Sequence, residues 1–316
     1  MLYIVTPCRN AAKTISHTID SVVTQHPDTL IRYHIQDGIS TDGTLQILAN
    51  YEEYITKHPD LFKNLEFSWC SEADSGMYDA ISKGFASLNI PPNALMGWLN
   101  ADDVFCPGAL DKVQEAAESL MDVDWLGGVP LVIDMDGAPI SRGRPGFAYP
   151  QALIAQGTCD GLHWRTLQQE GTFWRKRLWD VVGGLDCRYR LVGDWDLWRR
   201  MAQHAEYVQL SQPLAGFRKH PGQLSEGKSY SEEIEAALSA RKRCAAFRRH
   251  LPKALVTATA FACEKDGTWS IQRVRPNLSW KDAIGLILSF FGLYQMFSWC
   301  QKINTKLQQL VKQSGQ

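Results

Sequence analysis

The first hundred residues alternate between two apolar rhythms. Leu2 to Thr6 is a short apolar run ended by Pro7, and Ile15, Ile19, Val22 and Val23 follow at the spacing of one helix face. Ile31 to Ile35 repeats the strand pattern as far as Asp37-Gly38, and Leu45, Leu48 and Tyr51 mark a second helix. Leu65 to Cys70, Met77 to Leu88 and Leu95 to Leu99 predict a third strand, a third helix and a fourth strand. Alternation of this kind predicts an α/β fold, a mostly parallel Rossmann-like sheet with helices on both faces.

From Trp125 the predicted strands shorten, with a hairpin turn at Asp136-Gly137. Residues 143 to 172 are rich in Gly, Pro and Gln and weakly periodic, as in a loop-bearing segment. A helix begins near Asp194 and a short strand ends near His220. Residues 231 to 249 form a charged amphipathic helix closing on the basic runs Arg241-Lys242-Arg243 and Arg248-Arg249-His250. The 18 residues from Ala283 to Cys300 are the most apolar stretch, at the lower limit for spanning a bilayer, and Ser289, Gln295 and Ser298 weaken that reading. Flanked by Trp280-Lys281, Lys302 and Lys306, they fit an amphipathic helix lying on a membrane; packing on the main body or on a partner is the alternative. The expected organisation is a main domain over 1–225, with halves 1–105 and 106–225, and a helical extension over 226–316.

At 316 residues the chain is long enough for one large domain with an appendage. Its 33 basic and 34 acidic residues nearly cancel, so no global field draws it to nucleic acid. Eight cysteines, with no CxxC pair and no histidine cluster at zinc spacing, read as reduced thiols. The chain opens directly on a strand, without the charged and small-residue pattern of a secretory leader, so a cytoplasmic protein is expected.

The polar clusters fall at the ends of the predicted strands. Arg9 and Asn10 follow the first, Asp37 to Asp42 the second, Glu72 and Asp74 the third, and Asp102 and Asp103 the fourth. Ligands of open α/β sheets bind at such carboxyl ends, where loops converge and helix N-termini present free N–H groups. Adjacent carboxylates repel unless a cation or hydrogen bonds compensate, so Asp102-Asp103 suits a hard divalent ion or, equally, the capping of a helix opened by Pro107. Asp194 and Asp196 point in different directions on a helix. One suits a general base in the cleft, and the other a cap or a partner for Arg199 or Arg200.

Five segments in order over roughly residues 1 to 225 resemble the family 2 glycosyltransferases, inverting enzymes of GT-A fold, in the form common among bacterial polysaccharide enzymes. They are Ile4 to Asn10, Asp37 to Thr44, Ser71 to Ala80, Asn100 to Asp103 and Gly193 to Arg200. The resemblance implies that Thr6, Pro7 and Arg9 line a nucleotide pocket, that Asp37 contacts the base, and that Asp74 lies beside the diphosphate or ribose. It further implies Asp102 at the ribose or metal, Asp103 on Mn²⁺ or Mg²⁺ directly, and Asp194 as catalytic base, with residues 1–105 binding the nucleotide-sugar and 106–225 the acceptor. His220 is a candidate further metal ligand, and Gln169, Glu170 and Trp174 candidate walls of the acceptor pocket. Asn100 replaces the first aspartate of the strict Asp-x-Asp motif, and the Gln-x-x-Arg-Trp signature of processive synthases is absent. Transfer of a single sugar is therefore expected, and the resemblance implies a UDP-sugar as donor and a glycan or lipid-linked hydroxyl as acceptor. The rivals are a sugar nucleotidyltransferase, which the lack of a Gly-rich loop with Lys after the first strand disfavours, and an inactive binding subunit that keeps the fold.

Overall fold

The computed structural model describes residues 1–25, 30–143, 149–220, 223, 228–276, 286–288 and 290. The elements follow the predicted alternation through the first hundred residues: β1 (Leu2–Cys8), α1 (Ile15–Val23), β2 (Ile31–Asp37), α2 (Thr44–Lys57), β3 (Leu65–Ser71), α3 (Met77–Ala86) and β4 (Leu95–Trp98). Next come β5 (Val104–Phe105), α4 (Ala109–Ser119), β6 (Trp125–Gly127), β7 (Leu131–Ile133), β8 (Pro139–Arg142), α5 (Gln151–Ala155), β9 (Thr172–Arg175) and α6 (Lys176–Val182). The remainder is α7 (Gly193–Met201), β10 (Val208–Leu210), β11 (Ala215–Arg218), α8 (Lys228–Ala237), α9 (Ala240–Val256), β12 (Thr259–Lys265) and β13 (Thr268–Val274).

Nine of these strands form one sheet in the order β13-β12-β10-β6-β9-β4-β1-β2-β3, and β5-β11-β7-β8 form a smaller one. The half of the large sheet around β1 is parallel, and β9 runs against both β4 and β6. Strand alternation sorts the core. Leu2 and Ile4 of β1 pack on one face with α1 and α4, whereas Tyr3 and Val5 pack on the other with α3, α5, α7 and α9. Every residue of β1 is buried, as a central parallel strand requires.

Pro7 does not end β1 as expected, and the strand runs on to Cys8 in register with Asp37. The Val5 carbonyl accepts the N–H of Leu99, and Pro7, two residues on, faces the same side past the end of β4. No ladder bond is lost there, so proline is tolerated.

The C-terminal region departs further from expectation. The helix predicted over 231–249 is two helices, broken at Ser239 where the backbone turns extended. Directly after α9 comes a hairpin in place of a helix: β12 and β13 pair antiparallel, and β12 joins β10 of the large sheet. Alternation in Thr268–Val274 and an Asp266-Gly267 turn with positive φ at both residues account for the hairpin. The segment 283–300 lies outside the described residues except for 286–288 and 290, where Leu286 and Phe290 pack against the core. No helix among the described residues is long and apolar enough to cross a membrane.

Candidate active site

The strand ends predicted to bear the site do converge on one edge of the sheet, yet their side chains have unequal tasks. Asp37 is fully buried and accepts hydrogen bonds from the Ser40 N–H at 2.9 Å, the Ser71 hydroxyl at 2.6 Å, the Ser40 hydroxyl and the Cys8 thiol at 3.4 Å. Both oxygens accept bonds from the loop and from the adjoining strands, so Asp37 braces this turn. Burial and then the Asp37 charge push the Cys8 thiol up, so this cysteine stays protonated. Thr6 is likewise buried, its hydroxyl 3.0 Å from that of Tyr33, and Pro7 is buried in β1. Neither is exposed to a ligand. Arg9 and Asp74 remain accessible and flank Gly38, where a Cβ would stand 2.3 Å from Asp74 Oδ2 and 3.5 Å from Arg9 Cδ. The backbone at Gly38 and these two side chains form an open rim.

Beside that rim lies a cavity of about 510 Å³. Its walls include Met77 and Tyr78 at the start of α3, Asn100 and Asp102 after β4, Glu170 before β9, Asp194 on α7 and Tyr230 on α8. Asp194 sits in the first turn of α7, whose far side is fixed in an aromatic stack: Trp198 lies on Trp98 at 5.9 Å and on Trp125 at 5.4 Å between ring centroids. Asp196 is absent from the cavity wall and pairs with Arg200 at 2.8 Å and Arg199 at 3.3 Å. Asp194 Oδ1 accepts the Trp195 N–H at 2.7 Å and faces the Tyr78 hydroxyl at 3.4 Å. Burial, only partly opposed by those bonds, raises its carboxyl to about 6.

Glu170 shares the cavity. It is buried, its Oε2 has no hydrogen-bond partner among the described residues, and burial raises it to about 7, with the Asp194 and Asp102 charges adding to the rise. Asn100 Oδ1 is also unpartnered, while its amide donates to Asp103 Oδ2 at 3.2 Å and to Gln169 Oε1 at 3.3 Å. Gln169 is held by the Trp98 carbonyl at 2.6 Å. Trp174 belongs to the aromatic core, 5.3 Å from Trp98, and does not line the cavity.

The two adjacent aspartates stand in different surroundings. Asp103 is buried, its Oδ1 bound to the Arg218 N–H at 2.8 Å and its Oδ2 to Asn100. Burial, then the neighbouring Glu170 and Asp102 charges, raise its carboxyl well above the ordinary range. Each Asp103 oxygen is thus engaged by a protein donor away from solvent. Asp102 is partly exposed on the cavity wall, and its Oδ2 lies 2.9 Å from His220 Nε2. Arg218 draws the two segments together: its Nε binds the Asp102 carbonyl at 2.7 Å, and its guanidinium reaches the Asp134 carbonyl at 3.1 Å and that of Met135 at 2.6 Å. A carboxylate and an imidazole meeting at a partly open wall fit one hard divalent ion that takes its other ligands from phosphate and water. No group of three His, Cys, Asp or Glu residues suited to a metal occurs among the described residues. Seven described cysteines are unbridged.

Against known proteins, residues 3–169 match the model "Glycosyl transferase family 2". A PGL/p-HBAD biosynthesis glycosyltransferase of Mycobacterium tuberculosis is 25% identical over 202 residues, 62% of this chain and 67% of the relative. The solved structure of S. aureus TarS 1-349 in complex with UDP-GlcNAc aligns with a TM-score of 0.53 at 16% identity, over 79% of this chain and 72% of that one. At that identity the likeness shows the fold alone, and the fold is GT-A. With the family model covering more than half of its length, the chain belongs to glycosyl transferase family 2 and is a glycosyltransferase.

Proposed function

We propose that this glycosyltransferase moves one sugar per event from a nucleoside diphosphate sugar to a hydroxyl of a glycan or lipid-linked acceptor, inverting the anomeric centre, in bacterial surface polysaccharide biosynthesis. The observation that carries this reading is Asp194. It is a carboxyl held at about 6 in the cavity wall, across from the Asp102–His220 pair and on a different segment of the chain.

A hydroxyl is a weak nucleophile near neutral pH, so its proton must leave as it attacks. Asp194 accepts that proton while the acceptor oxygen bonds to the anomeric carbon from the face opposite the diphosphate. The bond from that carbon to the diphosphate oxygen breaks, and its electron pair departs with the nucleoside diphosphate. A positioned base of this kind contributes on the order of 10²- to 10⁴-fold. Asp102 and His220 are the residues to hold Mn²⁺ or Mg²⁺, which when bound stabilises the charge developing on the leaving diphosphate. Arg9, Asp74 and the Gly38 backbone receive the nucleotide. UDP is the first nucleotide to test, since the TarS fragment sharing the fold was solved with UDP-GlcNAc.

Membrane proximity completes the reading. The outward face of α9 exposes Arg241, Lys242, Arg248 and Arg249, a basic stripe suited to the anionic inner face of the cytoplasmic membrane, where lipid-linked acceptors reside.

The deciding experiment measures release of nucleoside diphosphate from UDP-GlcNAc, UDP-glucose and GDP-mannose, with and without Mn²⁺, by the wild type and Asp194→Asn. Turnover lost in the variant with nucleotide binding retained is expected. Turnover equal to wild type sinks the base assignment, and binding without turnover in the wild type favours an inactive binding subunit.

A further inference from the structure

Immediately before Asp194 the chain runs through Arg190, Leu191 and Val192 outside any helix or strand. Three successive backbone N–H groups there need acceptors, and all three find the same one. Glu233 on α8 takes the Arg190 N–H on Oε1 at 2.7 Å, and the Leu191 and Val192 N–H groups on Oε2 at 2.7 and 3.1 Å. Charge-assisted bonds are short and directional, and three converging on one carboxylate leave this loop little freedom. Apolar contacts brace the same junction. Val192, Trp195 and Ile234 form a buried cluster of their own, with Tyr189, Leu191 and Tyr230 packed around it. Tyr230, one turn before Glu233 on α8, also lines the cavity that contains Asp194.

Asp194 lies two residues beyond the last clamped N–H, at the start of α7. Behind it the helix is fixed by the tryptophan stack, and in front it is fixed by Glu233, so its side chain direction depends on both. We infer that Glu233 is a positioning residue for sugar transfer: helix α8, outside the stretch matched by the family model, holds the 190–192 loop so that Asp194 faces the acceptor. The inference rests on Asp194 being the base.

The test uses the full chain carrying Glu233→Ala, Glu233→Gln or Asp194→Asn, with nucleoside diphosphate release from whichever of UDP-GlcNAc, UDP-glucose or GDP-mannose the wild type turns over. Loss of the clamp in Glu233→Ala is expected to lower kcat on the order of 10- to 100-fold, as for a misaligned catalytic group. Donor KM is expected to move less than about twofold, since the nucleotide rim is untouched. Glu233→Gln keeps one acceptor oxygen and is expected to fall between Ala and wild type. A purely structural role predicts instead that kcat follows the folded fraction, read from thermal melts, with Gln no better than Ala, and that result overturns the inference. If Glu233→Ala folds too poorly to assay, Glu233→Gln alone decides: a wild-type kcat rejects the inference and a reduced kcat at wild-type KM supports it. An inactive Asp194→Asn beside fully active Glu233 variants removes this inference and leaves the base assignment standing; an active Asp194→Asn removes both.

Discussion

Burial holds the Asp194 carboxyl at about 6, against 3.8 for an ordinary one, and two opposite pH dependences follow. As a base it must be ionised, so the rate is expected to rise with pH through about 6 and then level. Stability runs the other way. The folded state binds this proton more tightly than the unfolded chain, so the contribution is fully present below about 3.8 and is lost as pH rises through about 6. Each tenfold in proton affinity is worth about 1.4 kcal/mol, so ionising Asp194 in the folded state costs on the order of 3 kcal/mol. Asp194→Asn is therefore expected to be more stable than wild type in urea melts at pH 7.5, by up to that amount, and no more stable at about pH 4. A variant less active and more stable at once separates a functional carboxylate from a structural one. The paired aspartates offer a second contrast. Asp102→Ala and His220→Ala are expected to abolish Mn²⁺-dependent UDP binding at unchanged melting temperature. Asp103→Ala leaves the Arg218 N–H without its acceptor and the Asn100 amide with Gln169 alone, and is expected to destabilise by about 1–3 kcal/mol, visible as a lowered urea midpoint. Equal losses of metal-dependent binding in all three would contradict the proposal that Asp102 and His220 hold the ion without Asp103.

Elements meet at the site through very close approaches, and one of them is a glycine contact. Gly193 opens α7 against the ring of Tyr78 at the start of α3, where an added Cβ would stand 2.7 Å from two ring carbons. Gly193→Ala must displace either the ring or the helix start, and both carry the site. A kcat reduced about tenfold or more with nucleotide affinity unchanged is expected, read by steady-state kinetics beside UDP titration. Local periodicity revealed these elements far better than it revealed their meetings. Apolar spacing placed β1 to β4 and α1 to α3 within a few residues, because each buries a face whose period is written in consecutive positions. It also placed the carboxylates at strand ends. Whether a strand-end carboxylate is free or spent is decided by partners far away in sequence. Asp37 is filled by Ser71, Asp103 by the Arg218 backbone, and Asp102 meets His220 118 residues on. No single-segment pattern carries those pairings. The hairpin β12–β13 was legible, through alternation and an Asp-Gly turn, but was overshadowed by the helical stretches on either side.

For the molecule as a whole, the question is whether the chain beyond about residue 225 is an appendage or part of the fold. The family model ends at 169, yet Asp194, His220 and Glu233 all lie beyond it. Phe247, Leu251 and Ala254 of α9 belong to the same core cluster as Tyr3, Trp98 and Leu197, and β12 adds to the edge offered by β10. Arg243 ties this region in most firmly. Its guanidinium is buried, with Nε 2.9 Å from Asp160 Oδ2, and Nη1 reaches the carbonyls that end α8, Ile234 at 3.3 Å and Leu238. Asp160 is itself buried and also takes the His163 imidazole at 2.9 Å. Arg243→Leu leaves Asp160 with most of its charge uncompensated in a dry site and frees two carbonyls. A loss of about 3–5 kcal/mol is expected from breaking one side of a buried pair. Because α9 shares the core with the central strands and α8 packs on Val192 and Trp195, that loss should lower the whole unfolding curve, not detach a C-terminal unit. Urea melts followed by tryptophan fluorescence, to which the Trp98–Trp125–Trp198 stack contributes among 11 tryptophans, and by far-ultraviolet circular dichroism are expected to coincide in one transition for wild type and variant alike. An early transition in circular dichroism that leaves the fluorescence unchanged would instead mark residues 226–316 as a separate unit. In that case Glu233 could not hold the catalytic loop as tightly as its three hydrogen bonds imply.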